Sequence, residues 1–245
     1  MIKLEDFDND YTLNIFVDGT TIRNVKGHCD MDNMAGQRID GAYGAIAVHG
    51  LHEIIDAEAY QTSYITNNLN ELRAIKEGVL LAIRNRYKFD CSTINLFSDS
   101  NINLVNIKVR APSWKIKDNK ILGINKGGGL KGLKGEDVYS EMYILMKEYN
   151  IHINFYHCLA HVRNTIVHLE QAEHTFRASN GIRDTVDPKL IGAISEYNNY
   201  IDDILRNYLI SRMPLPVVYN EALRFIPKDY WVLDYTHIGE ESTNE

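Results

Sequence analysis

The stretch Thr66-Asn67-Asn68-Leu69-Asn70-Glu71-Leu72 limits what this chain can become more than any other. Apolar residues follow it at Leu72, Ile75, Val79 and Ile83, the three-and-four spacing of one buried helical face. The spacing predicts a helix from Asn68 to about Arg86. Glu71 shares a face with Ile75, Gly78 and Ala82, so it stands at the edge of the core and not in open solvent. One explanation is a capping box, with Asn68 as N-cap and Glu71 three residues on. The other is that the carboxylate belongs to a site, and the rest of the chain decides between them.

Three strands come before this helix and one follows it. Thr12 to Val17 alternates polar with β-branched or aromatic residues and ends at Asp18-Gly19-Thr20. Thr21 to Gly41 is polar and reads as a long loop. Tyr43 to His49 and Glu53 to Tyr60 read as strands joined tightly through Gly50-Leu51-His52. Beyond the helix, Thr93 to Phe97 is a short apolar strand ending at Ser98-Asp99-Ser100. This order implies an α/β fold with a mixed sheet and a crossover helix. Further on, Asp137 to Tyr149 reads as helix and Ile151 to Cys158 as a fifth strand. Val162, Ile166, Leu169 and Phe176 mark another helix, closed by Asn180-Gly181. Asp187-Pro188 is an N-cap and N1 pair opening a last helix to about Leu209.

The chain has 245 residues, 44% of them hydrophobic, enough for one large core. Its net charge of −7 argues against a nucleic-acid partner only if charge is spread evenly. It is not: Val105 to Gly135 holds eight Lys or Arg against one Asp, a local +7. Cys29, Cys91 and Cys158 show no CxxC spacing, which fits reduced thiols and a cytoplasmic setting. The acidic start Met1-Ile2-Lys3-Leu4-Glu5-Asp6 does not read as a signal peptide, and no apolar run approaches a membrane span.

Asp18 ends the first strand, Glu71 opens the crossover helix and Asp99 ends the fourth strand. Adjacent strand ends and the start of a packed helix can converge within a few ångströms. Crowded carboxylates repel, so such a cluster needs a cation among them or a shared proton. Mg²⁺ takes oxygen ligands, and two such ions can stabilise the attacking and leaving oxygens of a phosphodiester displacement.

Val17-Asp18-Gly19-Thr20, Gly41-Ala42-Tyr43-Gly44-Ala45-Ile46, Thr66 to Leu72 and Phe97-Ser98-Asp99-Ser100 resemble, in order, the signatures of type 1 ribonuclease H. The resemblance implies an RNase H-like fold, a five-stranded mixed sheet with helices on both faces, over residues 1–209. It implies insertions at about 20–41 and 162–188, and an extension over 210–245. The activity implied is hydrolysis of the RNA strand of RNA–DNA hybrids with two Mg²⁺ ions, Mn²⁺ being an alternative. A fourth carboxylate is expected on the last helix, where Asn198 with Asp202 fits and Asn199 with Asp203 is the adjacent register. His161 falls where the family carries a histidine that assists proton transfer or product release. Asn67 and Asn68 match its minor-groove readers, with Gly19, Thr20 and Thr66 close to the strands. Trp114, Lys115, Lys117 and Lys120, within a segment that also holds Lys108, Arg110, Lys131 and Lys134, resemble its basic handle, which neutralises phosphate without reading bases.

Two rivals stay open. One is the same fold cutting structured DNA or double-stranded RNA; the other is a binding module without turnover. Asp30 to Gly36 is a poor calcium loop, since Met34 stands at a ligand position, and His28-Cys29 lacks a second pair for zinc. The Gly127 to Gly135 run lacks the Gly-Lys-Ser/Thr of a nucleotide loop.

Overall fold

The strand β1 (Thr12–Arg23) has its side chains buried from Thr12 to Asp18. Leu13, Ile15 and Val17 enter one core and Phe16 the other, as a central strand covered on both faces requires. The computed structural model describes residues 1–23, 39–63, 66–111, 114–117, 120–124, 130–132, 134–163 and 165–211. β1 runs antiparallel to β2 (Ile39–His49) and parallel to β4 (Thr93–Ser98). β3 (Glu53–Ser63) and a late edge strand complete a five-stranded sheet. That edge strand is β8 (Asn154–His157), and the order is β3-β2-β1-β4-β8. This is the mixed five-stranded sheet the sequence predicts.

α1 (Asn67–Arg86) and α3 (Glu136–Glu148) cover one face, burying Leu72, Ile75, Val79, Tyr139 and Met142 against Leu13, Ile15 and Val17. α4 (Ile166–Asn180) and α5 (Pro188–Ser211) cover the other, with Phe176, Ile194, Tyr197 and Ile201 beneath them. A row of stacked rings crosses that second core. Tyr197 lies on Phe16 at 4.9 Å, Phe16 on Phe97 at 4.8 Å, Phe97 on Tyr156 at 5.4 Å and Tyr156 on Phe176 at 5.6 Å. Each such pair adds about 1 kcal/mol beyond the area it buries, so the row ties α4 and α5 to three strands. The helix in the late insertion is therefore packing, with Phe176 only 1% exposed.

Several boundaries differ from expectation. β1 continues past Asp18 to Arg23 and β2 begins at Ile39, so both ends of the expected loop are strand; positions 24–38, with the calcium-like run, lie outside the described residues. Pairing with β2 extends the ladder through Arg23, over residues that a pattern search assigns to a loop. α1 starts at Asn67 with Thr66 as its N-cap, the Thr66 side chain accepting from the Leu69 N–H at 3.4 Å. Asn68 is thus inside the helix, and the capping box built on Asn68 and Glu71 does not form. The basic segment is not only loop: β5 (Lys115–Lys117), β6 (Lys120–Ile124) and β7 (Leu130–Gly132) make a small antiparallel sheet. α2 (Asn101–Val105) and a wider turn, Asn106–Arg110, lead into it.

The cap signals at the far end hold. Gly181 closes α4 in the left-handed conformation at φ +68°, and the Lys189 N–H donates to Asp187 Oδ1 at 2.9 Å where α5 begins. Positions 212–245 lie outside the described residues. Among the described residues no helix is long and apolar enough to cross a membrane.

Candidate active site

Period-two alternation puts Asp18 on the same sheet face as Phe16, toward α5, and Gly19 on the opposite face, toward α1. A Cβ on Gly19 would collide with the backbone of Asn70 and Glu71. The glycine is what lets the first turns of α1 lie directly on β1, and so brings Glu71 down beside Asp18. Asn70 locks that approach: its Nδ2 donates to Thr20 O at 3.1 Å and its Oδ1 accepts from Thr62 Oγ1 at 3.0 Å. Asp99 follows the last residue of β4 and projects from the same end of the sheet. Asp202 lies on α5, buried to 7% exposure, whereas Asp203 is exposed.

These four carboxylates interact. Burial is the first cause that pushes the Asp18 carboxyl well up, followed by repulsion from Asp99 and Asp202, and more weakly from Glu71. Burial likewise pushes Asp99 up to about 6, helped by Glu71 and Asp202 and opposed by His161. Like charges held together in a dry place favour their neutral forms, as both shifts record. Asp99 Oδ1 is buried with no hydrogen-bond partner. A lone pair left bare in such a place is costly unless something else completes it.

The other two acids are engaged by the chain's own groups. Glu71 Oε1 accepts from Asn67 Nδ2 at 2.6 Å, and Glu71 Oε2 accepts from the Ser100 hydroxyl at 2.5 Å. Asp202 Oδ1 accepts from Arg206 Nε at 2.6 Å, and its Oδ2 meets His161 Nδ1 at 3.1 Å. Arg206 also donates to His161 Nε2 at 3.0 Å. That bond requires a bare Nε2, so the ring proton sits on Nδ1 and points at Asp202. His161 adopts φ +53°, an uncommon conformation for a residue with a side chain. Among the described residues no group of three His, Cys, Asp or Glu side chains stands preformed as a metal shell. The donor set is nonetheless all hard carboxylate oxygen, and Asp99 Oδ1 is the atom that lacks a partner. Each Glu71 oxygen keeps a second lone pair beside its hydrogen bond, so the donor set suits a divalent cation once Arg206 leaves Asp202.

The remaining predicted contacts distribute as follows. Asn67 is exposed beside Glu71, while Asn68 is half-buried and accepts from Asn103. Gly19 is buried under α1 and Thr20 half-buried. Trp114 packs edge-on against Tyr139, ring centres 5.0 Å apart. Lys115, Lys117 and Lys120 stand on the small sheet, and their side chains lie outside those described. Sequence reasoning missed Asn70, Ser100, Asn103 and Arg206. For Arg206 a signal existed, since it follows Asp202 by four on a predicted helix and pairs with it across one turn.

By its own topology the chain is an α/β protein, a five-stranded mixed sheet with helices on both faces and carboxylates gathered at one end. No family model and no curated protein matches the sequence. Solved structures similar to it include LC11-RNase H1, isolated from compost by a metagenomic approach, in complex with RNA/DNA hybrid. It is 12% identical, with 60% of this chain and 85% of that chain covered and a TM-score of 0.41. The PFV RNase H domain in solution is 16% identical, covering 77% and 94%, at 0.44. The foamy viral protease–reverse transcriptase in complex with RNA/DNA hybrid is 15% identical at 0.46, over 74% of this chain. The chain spans 20% of that longer protein. The meeting of the acids stands on this chain's own geometry.

Proposed function

We propose that the chain is a divalent-metal-dependent endonuclease that hydrolyses the RNA strand of RNA–DNA hybrids. The observation that carries this reading is the gathering of Asp18, Glu71, Asp99 and Asp202, with Asp99 Oδ1 buried and unpartnered. Asp18 and Asp99 would hold one Mg²⁺ or Mn²⁺, and Glu71 from its present position and Asp202, once free of Arg206, would complete the shells of a pair. When bound, such ions supply an activated water and charge stabilisation at the leaving oxygen.

The chain's own groups divide the rest of the work. Asp18 and Asp99, both biased toward protonation in this crowded, buried place, would serve as ionised ligands of a bound cation. His161 presents Nε2 as a bare nitrogen once Arg206 leaves it, and can take or return a proton beside the scissile phosphate. Arg206, with its guanidinium released, is placed to meet a phosphate oxygen. Asn67, exposed at the start of α1, is free on one side to meet a 2′-hydroxyl in the minor groove. Lys115, Lys117 and Lys120 would track the backbone of the duplex away from the cut. A cytoplasmic setting accords with Cys91 and Cys158 being free thiols.

The test is cleavage with Mg²⁺ or Mn²⁺ of hybrids labelled separately in each strand, beside RNA duplex and DNA duplex. The reading expects cuts in the RNA strand of the hybrid alone. Cutting confined to DNA would overturn it, and binding without cuts in any substrate would favour a non-catalytic module.

A further inference from the structure

Glu71 stands at the end of a hydrogen-bond chain that crosses from the surface through three buried side chains. Arg110 NH1 donates to Asn106 Oδ1 at 2.7 Å, and Asn106 Nδ2 donates to the Tyr139 hydroxyl at 2.8 Å. Tyr139 donates to Asn103 Oδ1 at 2.9 Å, and Asn103 Nδ2 donates to Ser100 Oγ at 2.8 Å. Ser100 in turn donates to Glu71 Oε2. Ser100, Asn103 and Tyr139 are 4%, 1% and 1% exposed. Every bond in the series is given in the same direction, from a surface cation toward a carboxylate. Bonds so aligned polarise one another, and in a dry interior each fixes the orientation of the next.

The orientation of Asn103 is the deciding point. Its Nδ2 must face Asn68, because the Asn68 carbonyl O at 3.0 Å can only accept, and its Oδ1 then faces Tyr139 and takes the phenol proton. The same Nδ2 faces Ser100, and its two hydrogens serve three acceptors, Ser100 Oγ at 2.8 Å, Asn68 O at 3.0 Å and Asn68 Oδ1 at 3.2 Å, one hydrogen being shared. A Ser100 oxygen that accepts from Asn103 commits its own proton to Glu71. Were the amide reversed, Ser100 would give its proton to Asn103 Oδ1, and Glu71 Oε2 would lose its donor.

We propose that Tyr139 is a positioning residue for Glu71, acting through Asn103 and Ser100 to hold the carboxylate in the place from which it takes a metal ion. Tyr139 belongs to α3, and Asn103 to α2, so two helices that contribute no acid to the site set the position of one. The proposal rests on the reading of Glu71 as a metal ligand and names what prepares it. Groups that orient a ligand from behind typically alter metal affinity by ~10- to 100-fold when removed. The donor in direct contact should matter most and the more distant one less.

Calorimetric titration of Mn²⁺ into the metal-free full chain tests this, alongside thermal melts without metal. Ser100→Ala should weaken binding by about 10-fold, and Tyr139→Phe by roughly 3-fold, in that order. In the cleavage assay the metal concentration for half-maximal rate should rise by the same factors, with the hybrid KM unchanged. Asn154→Ala is the control for simple destabilisation. Asn154 donates to Asn95 at 3.1 Å in a separate ladder, where Asn95 donates to Asn14. It should lower the melting temperature and leave Mn²⁺ affinity within error. Equal loss of affinity in Asn154→Ala and Tyr139→Phe would overturn the proposal, as would Tyr139→Phe and Ser100→Ala binding Mn²⁺ like the wild type. A wild-type chain that binds no Mn²⁺ would instead remove the metal reading itself, and this proposal with it.

Discussion

Replacing Gly19 with alanine should damage the site without touching any acid. The added Cβ would collide with the backbone carbonyl carbon of Asn70 and the amide nitrogen of Glu71. Backbone in a helix cannot rotate aside as a side-chain tip can. Carbon contacts settle at ~3.5–4 Å, so α1 must retreat from β1 by roughly 1 Å. Overpacking of this kind costs about 1–3 kcal/mol, and here the shift also strains the Asn70 bonds to Thr20 and Thr62. A displacement of ~1 Å at a catalytic group can lower the rate ~100-fold. Gly78→Ala is the contrast. Its Cβ would meet the tips of Val17 at 2.6 Å and Leu96 at 2.8 Å, which are side chains able to move. Urea unfolding and strand-labelled hybrid cleavage on both variants read the two effects. Gly19→Ala should lose stability and about two decades of activity, and Gly78→Ala mainly stability. A Gly19→Ala protein with wild-type rate and midpoint would refute the claim that this glycine sets the distance between Glu71 and Asp18.

Three more expectations follow from the same geometry. Asp202→Asn should cost at least the ~10²-fold typical of losing one electrostatic stabiliser, whereas exposed Asp203→Asn should cleave hybrids at close to the wild-type rate. Burial pushes Glu196 on α5 from an ordinary 4.5 up to about 7. The folded state therefore favours the neutral acid, so its contribution to stability is complete below about pH 4 and is lost as pH rises through about 7. Glu196→Gln should match the wild type at pH 4 and exceed it at pH 8 in urea unfolding, by ~1 kcal/mol after allowance for solvent screening of a half-buried group. Converting Lys115, Lys117 and Lys120 together to glutamine should reduce the slope of log affinity for hybrid against log salt by about two to three, measured by fluorescence anisotropy.

Much of this architecture was legible in the chain. The stripe Leu72, Ile75, Val79 and the alternation through Leu13, Ile15 and Val17 are periodic signals, and periodic signals carry through when burial enforces them. The sequence puts Asp18 and Asp99 near strand ends and Glu71 near a helix start, and the structure brings the three into electrostatic contact. What escaped was set by partners distant in sequence. Asn68 has the chemistry of an N-cap, but Thr66 takes that place, and Asn103 then claims Asn68 from 35 residues away. The strand at Thr21 to Arg23 exists because β2 pairs with it, and no local property of those residues says so. The relay through Asn103 and Tyr139 joins two helices whose spacing only the packed core determines. Arg206 was different: its i, i+4 relation to Asp202 was visible, but its bond to His161 across 45 residues was not.

The central claim is that the acids at the end of the sheet hold divalent cations. Crystals of the protein grown with Mn²⁺ and measured at the manganese edge test it most directly. The account predicts anomalous density between Asp18 and Asp99, roughly 2 Å from Asp99 Oδ1, the length of a hard-cation–carboxylate bond. Manganese bound only elsewhere, with Asp99 Oδ1 still bare, would contradict it.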